Sequence, residues 1–126
     1  MSTSALKLQS QAAALNLEDG RVMTYAADLT GAEAAQQAVR AVQQAFGRVD
    51  VLLHLVGGWT GGRSLTESDP ADLDEMIRQH VWTTLYLAQA AVPRMLSNGW
   101  GRIITVSSPS AVRPSARGGF YAAGKA

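Results

Sequence analysis

The sequence predicts an α/β fold built on a parallel sheet, and three observations carry that expectation. Residues 49–56 (VDVLLHLV) and 102–106 (RIITV) are apolar runs of strand length, and residues 21–27 (RVMTYAA) form a third segment rich in β-favouring types. Between these runs lie two segments, 34–46 and 71–96, whose apolar residues recur at helical spacing. Strands that alternate with helices at this spacing form right-handed βαβ units, with helices packed on both faces of the sheet. The expected architecture is therefore a three-layer α/β/α sandwich, in a single domain over residues 1–126.

The elements follow in order. Ala5, Leu6, Leu8, Ala12, Ala13 and Leu15 make a loose helical pattern that stops at the turn-forming cluster 16–20. The strand at 21–27 ends at Asp28-Leu29-Thr30. Thr30 is placed to cap a helix, and Glu33, three residues on, completes a capping-box pattern. Val39, Val42 and Phe46 mark the apolar stripe of the helix over 34–46, which Gly47 stops. The run 49–56 is almost unbroken in apolar character, as expected of a strand covered on both faces. A glycine-rich loop, GGWTGGRSLTESD, leads to Asp69-Pro70, which reads as a cap and a first helical residue. The long helix over 71–96 carries Leu73, Met76, Ile77, Val81, Leu85, Ala88, Val92 and Met95 on one stripe. Pro93 is expected to kink its end, and Asn98-Gly99 to close it. Residues 101–125 then give a buried strand, a loop rich in serine and glycine, and the first turn of a helix bearing Tyr121 and Lys125.

Composition narrows the function classes. Hydrophobic residues make up 47% and charged residues 17%, a balance that supports a packed core and not disorder. A net charge of +1, without any block of like charge, gives no reason to expect nucleic acid or an anionic membrane as partner. The lack of cysteine excludes a disulfide framework and any thiolate metal site, no metal is called for, and a reducing cytoplasm suits the chain. No apolar run approaches the roughly 18 residues of a membrane span. The first residues lack the apolar centre of a secretory signal and read as a surface helix.

The residue pair that carries chemistry lies near the end of the chain. Tyr121 and Lys125 are four residues apart, so on a helix they share a face. A phenol normally ionises near pH 10, too high for work at neutral pH, and a neighbouring ammonium favours its phenolate. Ser108 lies thirteen residues before Tyr121, at the end of a strand, where a hydroxyl can point into the crevice at the sheet's carboxyl edge. Tyrosine and lysine at this spacing meet in many helices; the strand and the serine before them give the pair its meaning.

In these blocks the chain resembles the short-chain dehydrogenase/reductase family. The matching residues are Asp28-Leu29, GRVDVLLHLVGG at 47–58, GRIITVSS at 101–108 and YAAGKA at 121–126, in the family's order and spacing over nearly the whole chain. Among its members, the β-ketoacyl-acyl-carrier-protein reductases look most similar in GRIIT, FYAAGKA and the serine spacing. The resemblance implies a partial Rossmann-type doubly wound parallel sheet and an NAD or NADP cofactor. It also implies a small-molecule carbonyl/alcohol substrate and a cytoplasmic homo-oligomer, a dimer or tetramer. By the same resemblance, Tyr121 is the catalytic acid/base, and Lys125 lowers its pKa and bonds the nicotinamide ribose. Ser108 holds the substrate oxygen, Asp28 with Leu29 lies beside the adenine, and Gly57 and Gly58 let the backbone run close to the cofactor. Ser107 reads as a strand-end hydroxyl bonded to backbone. Asp28 has a helix-capping role open to it as well.

The chain departs from the family pattern in three places. The family's Asn-Asn-Ala-Gly is here His54-Leu55-Val56-Gly57, and His54 reads as a satisfied buried histidine, not a catalyst. The asparagine that the family carries in its long helix, associated with a water linked to the lysine, is here His80. A neutral histidine can hold a water too, so His80 joins the candidate catalytic residues and would add a titration near neutral pH. The family's opening strand, G-x-x-x-G-x-G turn and phosphate-binding helix have no counterpart before Arg21. The chain thus reads as an internal piece of a longer enzyme or as a truncated relative. Two other functions stay open: a non-catalytic oligomerisation module built on the helices over 71–96 and from 120, and a serine hydrolase. The hydrolase is disfavoured because Ser108 lacks a G-x-S-x-G elbow and neither histidine has an evident acid partner.

Overall fold

The computed structural model describes residues 4–18 and 20–126. Residues 1–3 and Asp19, which the sequence assigns to the N-terminal segment and the turn after it, lie outside the described residues. Two parallel strands, β1 (Val51–His54) and β2 (Arg102–Thr105), form the sheet, with Val51 opposite Arg102 and His54 opposite Thr105. The crossover between them is helical. In it α3 (Pro70–Ile77), one wide π turn (Arg78–Trp82) and α4 (Thr83–Ser97) follow one another directly. Before β1 stand α1 (Ala5–Ala14) and α2 (Ala32–Phe46), and α5 (Gly119–Lys125) follows the loop after β2.

Local chemistry explains most helix ends. Asp69 caps α3 as expected, its carboxylate accepting from the Ala71 N–H at 2.9 Å, with Pro70 in the first turn. Gly47 ends α2 in a left-handed conformation, φ 77°, its N–H on the Gln43 carbonyl. The start of α2 differs from expectation. Gly31, not Thr30, is its N-cap, and no side chain caps it. Thr30 turns back on Asp28 instead, giving its N–H (3.0 Å) and hydroxyl (2.7 Å) to Oδ1, while Glu33 accepts from Gln37. The long helix runs through Pro93 to Ser97.

The core sits between α2, α4 and the inner face of the sheet. Ala35, Ala38 and Ala91 have almost no exposed surface, so α2 and α4 approach closely over Leu29, Val39, Leu52 and Leu87. Two strand expectations are corrected. Residues 21–27 are extended, but only Ala26 makes a bridge, and the segment adds no strand to the described sheet of β1 and β2. The two strand runs are also less buried than expected. In β1 Leu52 and His54 are buried while Val51 and Leu53 are exposed, and β2 is exposed along its length. Among the described residues α4 packs on the strands from one side and no helix packs on the other, which leaves a one-sided alternation. The parallel α/β arrangement stands, with the sheet and one helical layer present.

Candidate active site

The π turn is the feature that positions the candidate site. Five residues, Arg78–Trp82, widen the helix, and the Thr83 N–H reaches back five residues to the Arg78 carbonyl. The threonine side chains fill the loosened ladder. Thr83 Oγ1 donates to the Gln79 carbonyl at 2.5 Å and Thr84 Oγ1 to the His80 carbonyl at 2.6 Å. His54, on β1, meets both hydroxyls: Nε2 lies 2.9 Å from Thr83 Oγ1 and Nδ1 lies 3.4 Å from Thr84 Oγ1. A hydroxyl has one hydrogen, and the Thr83 hydrogen is spent on Gln79, so His54 must present Nε2–H as donor. The Thr84 hydrogen is spent on His80, so the longer approach to the unprotonated Nδ1 is a contact and not a hydrogen bond. The sequence reading of His54 as a satisfied buried histidine holds in this geometry; it is 5% exposed.

The same turn buries His80 between three segments. Its Nε2 lies 2.9 Å from the Gly58 carbonyl and must be the donor there, fixing the loop after β1. A Cβ on Gly57 would stand 2.6 Å from His80 Nδ1, and one on Gly124 would stand 3.0 Å from Cδ2 and 3.1 Å from the Met76 carbonyl. A Cβ at Gly57 needs the His80 ring to shift, and one at Gly124 is a tight contact with ring and helix backbone. The close approach at Gly57 is therefore made by the His80 ring. Burial, first, and the Lys125 charge, last, hold His80 below the ordinary histidine value, against the pull of the Gly58 bond. His54 is lowered too, by burial and then by Lys125 and His80. Both rings are neutral near pH 7.

Helix α5 brings Tyr121 and Lys125 to this turn. The Tyr121 ring meets His80 edge-on, with centroids 5.8 Å apart and planes at 78°. One turn on, Lys125 Nζ donates to the Val106 carbonyl, just past β2, at 2.8 Å. Ser107 Oγ donates to the Lys125 carbonyl at 2.9 Å, the backbone role expected of it. Ser108 begins a 3-10 turn (Pro109–Ala111), and its Oγ accepts from the Ser110 N–H at 3.2 Å. Two direct bonds thus tie the end of β2 to α5. Among the described residues no hydrogen bond joins Ser108, Tyr121 and Lys125 to one another.

A cleft of about 380 Å³ opens beside the carboxyl end of β1, lined by Asp28, Leu29, Thr30, Gly57, Arg78 and Gln79 among others. Asp28 holds its turn through one oxygen, Oδ1, and the Thr30 N–H and then the Thr30 hydroxyl keep its carboxyl below the usual range. Leu29 lends the cleft its backbone, since its side chain is buried in the core. A crevice at the carboxyl ends of parallel strands is where ligands of open α/β sheets bind.

With that geometry in place, comparison with known proteins decides the family. A family model described as short chain dehydrogenase matches residues 1–126. The chain belongs to the short-chain dehydrogenase family. An uncharacterized oxidoreductase of Staphylococcus aureus strain USA300 is 31% identical over 120 residues, covering 95% of this chain and 51% of that protein. Among solved structures, sorbitol-6-phosphate 2-dehydrogenase SrlD from Erwinia amylovora superposes with a TM-score of 0.92 at 23% identity, over 98% of this chain and 50% of its own. A xylitol dehydrogenase solved with NAD+ bound gives 0.90 at 21% identity, over 98% of this chain and 47% of its own. ElxO solved with NADP bound gives 0.88 at 22%, over 98% and 50%. These structural likenesses show a Rossmann-type fold. The chain spans about half the length of the curated relatives it matches.

In this short-chain dehydrogenase chain, the expected residues other than Ser108, which opens the 3-10 turn after β2, divide into two groups. Tyr121, Lys125 and His80 converge where α5 crosses the π turn, and Asp28, Leu29 and Gly57 converge at the cleft beside β1. Gly57 belongs to both neighbourhoods through His80. The sequence reading missed Thr83, Thr84 and the cleft-lining Arg78 and Gln79. For the threonines, paired β-branched hydroxyl residues inside an apolar helical stripe were the available signal.

Proposed function

We propose that this chain carries part of the active site of an NAD(P)-dependent dehydrogenase that moves hydride between nicotinamide and a carbonyl/alcohol pair. The observation that carries the reading is the fastening of Lys125 Nζ to the Val106 carbonyl, which fixes α5, with Tyr121 one turn earlier, against the end of β2 where Ser108 lies. Bound nicotinamide supplies or accepts the hydride. The chain's own residues manage the proton and the oxygen. In reduction, Tyr121 gives its phenolic proton to the carbonyl oxygen as negative charge grows there; in oxidation it takes that proton back. The Lys125 ammonium, on the same helix face, stabilises the phenolate that remains. Ser108 offers its hydroxyl to the same oxygen. His80 holds the Tyr121 ring edge-on and closes the loop at Gly58.

The cleft beside β1 fits the adenine end of NAD or NADP. Asp28 keeps Oδ2 for an amino donor, and Gly57 adds no side chain to the floor. The family membership and the absence of cysteine support a cytoplasmic enzyme acting on small molecules. No helix among the described residues is long and apolar enough to cross a membrane. Self-association as a dimer or tetramer is placed on the outer side of the π turn and α4, where Val81, Trp82 and Leu85 are exposed. Titration of the chain with NADH and NADPH tests the reading. Saturable binding that Asp28→Ala weakens at least about tenfold is expected, and association of the chain with no affinity for either nucleotide supports an interaction module instead.

A further inference from the structure

A second cleft, of about 370 Å³, lies on the far side of the loop after β1. The glycine-rich loop supplies Thr60, Arg63 and Leu65, α3 supplies Asp72, and the turn leading into α5 supplies Arg117 and Phe120. The cleft is bounded by the two residues before Tyr121, Gly119 and Phe120. Its two walls are joined through backbone, the Gly62 N–H donating to the Arg117 carbonyl at 2.8 Å. That bond fixes the chain at Arg117 next to the segment that carries Arg63.

The charges of this cleft are unbalanced. Among the described residues neither Arg63 nor Arg117 has a carboxylate within ion-pair distance; the two ion pairs are Arg48 with Asp50 and Arg78 with Glu75. Glu67 does not line the cleft; its Oε2 accepts the Ser64 hydroxyl at 2.7 Å and the Ser64 N–H at 3.2 Å, and its charge is felt by Arg63 without an ion pair between them. Asp72 on the wall offsets one of the two guanidinium charges. The lining thus holds two guanidinium groups and one carboxylate beside an apolar surface made by Leu65 and Phe120. A guanidinium with free donors in a concave site matches the planar oxygens of a carboxylate or phosphate.

We infer that the Arg63–Arg117 cleft binds the anionic group of the substrate, so that this dehydrogenase acts on small carbonyl or alcohol compounds carrying a carboxylate or a phosphate. The inference rests on the active-site reading above, because the cleft adjoins the helix turn that carries Tyr121. Anchoring an anionic tail there holds the reacting carbon by a part of the substrate that takes no part in the chemistry.

The test separates this inference from the catalytic reading, because it reads binding and not turnover. The chain is titrated at fixed ionic strength with acetoacetate, with dihydroxyacetone phosphate and with neutral acetylacetone, while backbone amide shifts are followed. Saturable shifts at Gly62, Arg63 and Arg117 with one or both anions, and none with acetylacetone, are expected. Which anion binds identifies carboxylate or phosphate as the tail. Arg63→Ala with Arg117→Ala should weaken that binding at least tenfold, Arg63→Lys with Arg117→Lys should retain part of it, and Arg40→Ala on the exposed side of α2 should change nothing. Tyr121→Phe should leave it intact. Equal shifts with the neutral diketone, no shifts with either anion, or binding that survives the double alanine variant while its other amides stay native overturn the inference. A Tyr121 variant that keeps its turnover sinks the catalytic reading instead and leaves the anion result standing.

Discussion

The imidazole of His80 stands edge-on to the phenol ring of Tyr121, centroids 5.8 Å apart, while its Nε2–H is given to the Gly58 carbonyl 2.9 Å away. One side chain thus touches the loop after β1 and the helix that carries the candidate acid. His80→Ala should remove a buried hydrogen bond and open a cavity, with a loss of about 2–4 kcal/mol. His80→Asn, which keeps a donor, should lose less. Urea denaturation of the two variants measures the difference.

Gly124 faces the same ring from α5. A Cβ there would meet His80 Cδ2 at 3.0 Å and the Met76 carbonyl at 3.1 Å. Neither neighbour moves freely, since one is fixed by Gly58 and the other is helix backbone. Gly124→Ala should therefore cost about 1–3 kcal/mol despite the better helix propensity of alanine. A thermal melt showing unchanged or raised Tm would contradict the close approach.

Thr83 joins β1 to the π turn through His54 and the Gln79 carbonyl. Thr83→Val keeps the shape and removes both bonds. The expected cost is about 1–3 kcal/mol, because the His54 Nε2–H is left buried without an acceptor. Nitrogen NMR of His54 supplies an independent check: the wild-type ring should be the Nε2–H tautomer, and the variant should show a changed tautomer balance.

Both histidines are held below the ordinary value of 6.5 chiefly by burial. The unfolded chain then binds more protons than the folded one as pH drops below that value, so the stability they contribute is complete above it and is lost towards each lower folded value. Denaturation midpoints should hold level from pH 8 to about 7 and fall as the pH drops below about 6.5. In His54→Asn the fall should be shallower. A midpoint that rises on acidification contradicts the buried neutral rings.

Much of this was legible in the residues where the signal is local. Asp69 and Gly47 mark helix ends through their own hydrogen bonds and backbone angle, and they end helices in the structure. Tyr121 and Lys125 fall on one short helix because four residues make about one turn. Thr30 looked like a cap, yet its hydroxyl found a better partner in Asp28, two residues away. The strand at 21–27 failed for a non-local reason, since β propensity is realised only beside a hydrogen-bonded neighbour. The π turn leaves no period in sequence. Its hydrogen bonds shift by one residue, and the buried positions pass from Met76 through His80 and Thr83 to Leu87, so Val81 and Leu85, expected on the apolar stripe, are exposed.

The account turns on Tyr121 as the proton donor and acceptor. The direct measurement is NAD(P)H-dependent carbonyl reduction by the polypeptide that carries this chain, compared with its Tyr121→Phe variant, with cofactor binding measured on both. The account predicts a fall in turnover of about 10²-fold or more, with cofactor affinity unchanged within about threefold. Turnover retained in Tyr121→Phe at wild-type levels would contradict it.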